Sequence, residues 1–301
     1  MAEEFTLIDG RAVAADLRAT VGERVISMHS KPGLAVILVG DDPASQVYVK
    51  NKIKACHEVG IESFEHRLPQ DTSQQKLLEL ITTLNHDDSV NGILIQLPLP
   101  DHLDSQQAIE SLDPHKDVDG LHPENIGRLV SGLESFVPCT PEGVKILLKV
   151  VQEDMTGMHA VVIGRSLLFG KPMGQILLQE NCTVTQCHSR TRNIQDICAQ
   201  ADILIAAVGQ PRMVKADWVK DGAIVIDVGI NRVENPDNPD KKKLVGDVDF
   251  DAVKSKTSAI TPVPGGVGPM TIACLLANTL KAASLQQKAA ARPARHSAPG
   301  A

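Results

Sequence analysis

A chain of 301 residues is long enough for two domains with real cores, and 43% hydrophobic with 22% charged residues is an ordinary globular composition. The formal net charge of -7 argues against binding nucleic acid through its phosphates, and five Phe, Trp218 and Tyr48 are too few aromatics to stack single strands. No apolar run reaches membrane-spanning length, and the acidic start Met-Ala-Glu-Glu-Phe lacks the basic region of a secretory signal, so a cytoplasmic protein is expected, with no membrane partner.

The predicted elements alternate. Val13, Leu17, Val21, Val25 and Met28 recur at three- and four-residue spacing and mark an amphipathic helix, which Lys31-Pro32-Gly33 ends. Residues 34–39 read as a buried strand, Gly40-Asp41-Asp42-Pro43 as a turn, and Ser45 as the N-cap of a helix to about Val59. A short strand at 63–68, a helix carrying Leu77, Leu78, Leu80, Ile81 and Leu84, and a strand at 92–97 stopped by Pro98 complete the first half. That order predicts a parallel sheet with helices on its faces.

The second half repeats the pattern. Thr140-Pro141-Glu142 offers a capping hydroxyl, a proline suited to the first helical position and a first-turn acid, so a helix to about Gln152 is expected. Strands follow at 160–163, 183–187, 203–206 and 223–228, with a helix at 172–180. Three prolines and three glycines fall between Ile260 and Thr271. Proline fixes φ and lacks an amide hydrogen, while glycine admits close backbone approach. The segment reads as a rigid loop feeding a helix N-terminus, fit to grip a planar or anionic ligand, or else as a tight connector. A helix after Pro269 should reach about Leu285, and the tail from Ala289, rich in Ala, Pro and Arg, is expected to be disordered. The expected fold is α/β in two lobes with a ligand cleft between them, the boundary falling between Leu129 and Thr140.

Several residues are candidates for chemistry. His159 to Pro172 has the outline strand, glycine turn, helix, which brings a backbone and a helix N-terminus to a phosphate, but Arg165 stands where a Rossmann fingerprint has its second glycine. The next strand ends Cys187-His188-Ser189-Arg190-Thr191-Arg192 with no acid to hold a ribose 2′-hydroxyl; a hydroxyl and guanidinium groups there suit a 2′-phosphate, so NADP is preferred over NAD, unless the run is a solvated basic turn. Tyr48 and Lys52 share a helix face: a ring that can stack on a heterocycle and an amine that burial can tune for proton transfer, or a solvated surface pair. Gln96 is a polar group in an apolar strand and needs a partner, either Lys52, a ligand or a loop amide. The acids of Lys116-Asp-Val-Asp-Gly120 lack the oxygen-rich company of a metal site and read by default as an Asx-turn. The six scattered cysteines form no C-x-x-C pair and fit free thiols in a reducing compartment.

Taken together, these motifs resemble one family, the bifunctional methylenetetrahydrofolate dehydrogenase/methenyltetrahydrofolate cyclohydrolases. The resemblance runs from Leu7-Ile8-Asp9-Gly10 through Tyr48-Val-Lys-Asn-Lys52, Gln96-Leu-Pro-Leu-Pro100, Lys116-Asp-Val-Asp-Gly120, Pro138-Cys-Thr-Pro141, Gly164-Arg-Ser166, Asp227-Val-Gly-Ile-Asn231 and Val245-Gly-Asp247 to Pro262–Thr271, in order and at natural separations. It implies that Lys52 is the catalytic lysine, Tyr48 the ring that stacks on folate, Gln96 the group that tunes the lysine, and Asp119 the acid that holds the pterin's amino edge. Leu97, Pro264 and Gly265 would flank the folate. Thr140, Gly164, Arg165, Ser166, Ser189, Arg190, Ile230 and Thr271 would contact NADP. The resemblance further implies a folate-binding catalytic domain over 1–138, joined by the C-terminal helix at about 270–286, a Rossmann-like NADP domain over 139–269, a disordered tail at 287–301 and a homodimer. Another NADP-dependent dehydrogenase, or a non-catalytic dinucleotide-binding regulator, would share much of this pattern.

Overall fold

The structure is a computed structural model that describes residues 5–235 and 242–290. In chain order its elements are β1 (Thr6–Leu7), α1 (Gly10–Ile26), β2 (Gly33–Val39), α2 (Pro43–Val59), β3 (Glu62–Leu68), α3 (Gln74–Asn85), β4 (Gly92–Ile95), α4 (Ser105–Glu110), α5 (Pro123–Val130), α6 (Cys139–Val151), β5 (His159–Ile163), α7 (Gly170–Gln179), β6 (Thr183–Cys187), α8 (Ile194–Cys198), β7 (Ile203–Ala206), β8 (Ala223–Asp227), β9 (Asn231–Val233), β10 (Lys243–Val245), α9 (Phe250–Val253), β11 (Thr257–Ile260) and α10 (Val267–Ala290). No helix among them is long and apolar enough to cross a membrane. The chain divides into two compact units, Ala19–Val118 with Leu276–Ala301, and Met1–Arg18 with Asp119–Leu275.

The first unit holds a three-stranded parallel sheet in the order β3-β2-β4. β2 is buried along its whole length, which is why Gly-Leu-Ala-Val-Ile-Leu-Val shows no polar alternation: a central parallel strand is covered on both faces. Its core joins Ile37 and Ile93 to Leu77 and Ile81 of α3. Beyond β4 the chain adds a bridge between Ile93 and Asp117, and the Ile93 amide donates to the Lys116 carbonyl at 2.7 Å. Lys116 is itself buried; its Nζ donates to the carbonyls of Leu84 and Asp87 at 3.1 and 2.8 Å, closing the C-terminal end of α3, and burial holds its pKa below the usual lysine value.

The second unit is built on a six-stranded, all-parallel sheet in the order β1-β11-β8-β7-β5-β6. After β5 the chain goes to β6 on one side, then returns to β7 on the other, so the order reverses between β5 and β7. In open parallel sheets that reversal opens a crevice at the carboxyl ends of the strands, where ligands lodge. Val161, Leu204, Val225 and Ile260 carry the core across four strands.

Local boundaries depart from the expected ones for physical reasons. The cap of α2 is Asp42, whose carboxylate accepts the Ser45 amide at 2.7 Å, and Pro43 takes the first helical turn; Ser45 lies inside the helix and is buried. Thr140 also lies inside its helix, the N-cap being Pro138. α10 runs to Ala290, so residues 287–290 of the expected tail are helical; residues 291–301 lie outside the described residues, as do residues 1–4 of the acidic start.

Candidate functional site

In the first unit, α2 buries the stripe Ser45, Val49, Lys52, Cys56 and Val59. Lys52 therefore points where an apolar side chain would, and it is only 9% exposed. A buried amine needs acceptors, and Gln96, immediately beyond β4, supplies one: Nζ donates to Oε1 at 3.0 Å. The Gln96 side chain is locked in turn, its Nε2 donating to the Leu97 carbonyl at 2.7 Å, and its amide donates to the Ile37 carbonyl at 2.9 Å. The amide end of Gln96 cannot rotate toward Lys52 without breaking the Leu97 bond. Tyr48, one turn before Lys52, is 37% exposed, at the border of the buried stripe, while Lys50 and Lys54 face solvent. Cys56, one turn after Lys52, is fully buried, and burial pushes its thiol up to about 12, so it is no nucleophile at neutral pH. Of the three readings open for Gln96, the bond to Lys52 is the one observed.

In the second unit, Gly164 sits at the switch point. Its φ is +131, and a Cβ there would lie 2.5 Å from the Ala207 carbonyl oxygen, so only glycine lets the turn after β5 approach the turn after β7. The Gly164 amide donates to Cys187 at 2.9 Å and its carbonyl accepts Gln186 Nε2 at 2.9 Å, which fixes the turn against β6. Arg165 and Ser166 are exposed on the loop that enters α7, where the Ser166 hydroxyl accepts the Phe169 amide at 3.2 Å. Gly170, at the helix start, carries no Cβ to strike the Gly164 carbonyl, which would lie 2.2 Å away. Past β6, the loop folds on itself through His188 and Thr191 and leaves Ser189 and Arg190 exposed.

The same unit contains the proline-glycine loop. It is cis at Val263–Pro264, Gly265 has φ +108, and α10 starts at Val267. A Cβ on Gly10, the first residue of α1, would lie 1.8 Å from the Gly266 carbonyl oxygen. At the start of α10, the Thr271 hydroxyl lies 3.0 Å from the Thr140 hydroxyl on α6, which brings two expected cofactor contacts together. Asp119 is half-buried, and the φ of +70 at Gly120 lets its loop lie against residues 136–138. Ile230 projects with 47% exposure beyond β8.

Two buried acids, Asp227 and Asp247, were not assigned a role by sequence. Both stand in motifs of the resemblance, and the visible signal was an acid within two residues of a glycine at a strand end. All six cysteines are free and buried. Among the described residues no group of three or more His, Cys, Asp or Glu side chains is placed to hold a metal.

Residues 8–119 match the family model for the tetrahydrofolate dehydrogenase/cyclohydrolase catalytic domain, and residues 138–287 match the model for the NAD(P)-binding domain of the same family. Among curated proteins, the chain is 57% identical over 286 residues to the bifunctional protein FolD of Paramagnetospirillum magneticum, covering 94% of this chain and 96% of that one. Among solved structures, it superposes with TM-score 0.90 and 51% identity on the bifunctional FolD methylenetetrahydrofolate dehydrogenase/cyclohydrolase of Campylobacter jejuni, covering 94% of this chain and 99% of that one. It superposes with TM-score 0.91 and 39% identity on the Trypanosoma brucei enzyme complexed with NADP and an inhibitor, covering 95% and 99%.

Proposed function

The chain belongs to the tetrahydrofolate dehydrogenase/cyclohydrolase family, and from that premise we propose which of its residues do the work. The protein is a bifunctional enzyme of one-carbon folate metabolism: an NADP-dependent methylenetetrahydrofolate dehydrogenase and a methenyltetrahydrofolate cyclohydrolase. The α/β architecture carries an N-terminal catalytic domain and a C-terminal parallel-sheet NAD(P)-binding domain. Our functional division assigns folate chemistry to 1–138 with the helix at about 270–286, and NADP binding to 139–269.

The residues at the switch point fit NADP: a positive-φ glycine that opens the backbone, a helix N-terminus behind it, and exposed Arg165, Ser189 and Arg190 for phosphate. When bound, NADP supplies the hydride acceptor for the methylene carbon of the substrate. The Gly164 turn and Ser166 hold the diphosphate, Arg165, Ser189 and Arg190 take the 2′-phosphate, and Thr140, Ile230 and Thr271 complete the cofactor contacts. Tyr48 stacks on the folate, Leu97, Pro264 and Gly265 flank it, and Asp119 accepts from its amino edge.

Hydrolysis rests on Lys52. Water attacks the methenyl carbon, the amine takes one proton from that water and returns it to the departing ring nitrogen, and the remaining hydroxyl proton is released to solvent as the carbonyl of 10-formyltetrahydrofolate forms. A cationic substrate disfavours a second positive charge beside it, which favours the neutral amine. Gln96 orients the amine, and the observation that carries this role is the buried 3.0 Å contact between them. Lys52→Met should lower cyclohydrolase activity by at least about a hundredfold, the usual yield of a positioned acid–base group, read as decay of methenyl absorbance. Full hydrolysis by that variant removes the assignment.

We also infer a homodimer in the cytoplasm. The six buried free thiols suit a reducing compartment. Sedimentation velocity at micromolar concentration should give a single species of twice the chain mass of 32.3 kDa.

A further inference from the structure

The second unit buries two carboxylates to which the roles above assign nothing. Asp247 is fully inaccessible and Asp227 is 3% exposed. Every donor recorded on them is a neutral N–H group. Asp247 Oδ2 accepts the amides of Val208 and Gly209 at 2.6 and 3.0 Å, and Oδ1 accepts Asn231 Nδ2 at 2.8 Å. Asp227 Oδ1 accepts the amides of Gly229 and Asp247, and Oδ2 that of Val248, all at 2.9 Å. Glycine makes room for both: a Cβ on Gly229 would stand 2.3 Å from Asp247 Oδ1, and one on Gly246 would stand 1.7 Å from Asp227 Oδ2. Burying a carboxylate is costly unless hydrogen bonds satisfy it, and here the donors come from two turns, not from one element. Asp247 thus ties the turn after β7 to the segment after β8, while Asp227 anchors the backbone that carries Asp247.

Those two turns lie on one side of the switch point. The Gly164 turn and the end of β6, with Ser189 and Arg190, lie on the other. A dinucleotide spans such a crevice. If its diphosphate sits at Gly164 and its 2′-phosphate at Ser189 and Arg190, its nicotinamide half extends over the ends of β7 and β8. We propose that Asp247 is a positioning residue for the nicotinamide half of the cofactor: its carboxylate sets the Val208–Gly209 turn and Asn231 as a fixed wall, and Asp227 holds Asp247 in place. This rests on the NADP reading above. Asp247 does not touch the cofactor; it acts through the two turns.

Splitting the cofactor tests it. Asp247→Asn keeps the shape but turns an NH2 toward a donor, whichever way the amide lies. Calorimetric titration should show NADP bound at least tenfold more weakly by the variant, with adenosine 2′,5′-bisphosphate, which lacks the nicotinamide half, bound within twofold of wild type. Equal weakening for both ligands overturns the proposal and leaves a merely structural role; unchanged binding of both overturns it as well. If Asp247→Asn does not fold, Asn231→Leu removes one donor at constant shape and carries the same comparison, with a several-fold loss expected for NADP alone and equal effects on both ligands overturning the proposal. Wild-type protein that binds neither ligand would instead refute the NADP reading, so the two failures are distinguishable.

Discussion

In the assignment proposed above, Arg165 and Ser189 carry the choice between NADP and NAD. A hydrogen bond to a charged group contributes about 1.5–3 kcal/mol, so removing both side chains should matter only where a 2′-phosphate is present. Arg165→Ala with Ser189→Ala should raise the KM for NADP by at least about tenfold and leave that for NAD within about twofold; equal rises in steady-state assays would remove the cofactor argument. Gln96 offers a sharper probe of Lys52. In Gln96→Glu the amine gains an anionic partner, which favours its charged form, so the cyclohydrolase pH profile should move to higher pH by one unit or more, roughly. An unmoved profile would mean that Lys52 does not titrate in the reaction. Spacing placed Tyr48 and Lys52 on one face but left surface and site readings open. What could have announced the burial of Lys52 was the stripe itself: it stands between Val49 and Cys56, at positions an inward helix face must occupy. Asp247 was opaque for a different reason. Its partners lie up to 39 residues away in sequence, and no local pattern announces them.

Long, strongly patterned elements were legible. β2, with seven buried residues, and α3, with Leu77, Ile81 and Leu84 on its inner face, announce themselves by period. α4, α5 and α8 were missed because six, eight and five residues are too few to display one. β1 and β11 were missed because two and four residues are too few to display a period. Helix contacts were also hidden. A Cβ on Gly143 of α6 would stand 2.7 Å from the Met270 Cβ of α10, closer than such atoms approach. Gly143→Ala should therefore cost about 1–3 kcal/mol in urea unfolding, the range for overpacking a filled site. A neutral Gly143→Ala would show that this crossing yields freely.

Across the whole molecule, one carboxyl sets a pH dependence. Burial pushes Asp227 up to about 7 from its ordinary 3.8, against the pull of the three amides it accepts. The folded protein thus holds this proton more tightly than the unfolded chain. The resulting stabilisation is complete below about 3.8 and is lost as pH rises through about 7. The total is of order 4 kcal/mol, at about 1.4 kcal/mol per pH unit. Urea midpoints should fall between pH 5 and pH 7.5, and Asp227→Asn should flatten that slope; a slope of opposite sign, or one untouched by the substitution, would count against this assignment.

Thr6 and Leu7 form the outer rung of the large parallel sheet, pairing with Ala259 and Ile260, although they lie some 250 positions away along the chain. A fragment cut to begin at Asp119 would keep the dinucleotide crevice yet strip that rung and bare the backbone of Thr257–Ile260. Uncovered ladders recruit one another, so such a fragment should clump unless a short peptide copying the first ten residues is added back.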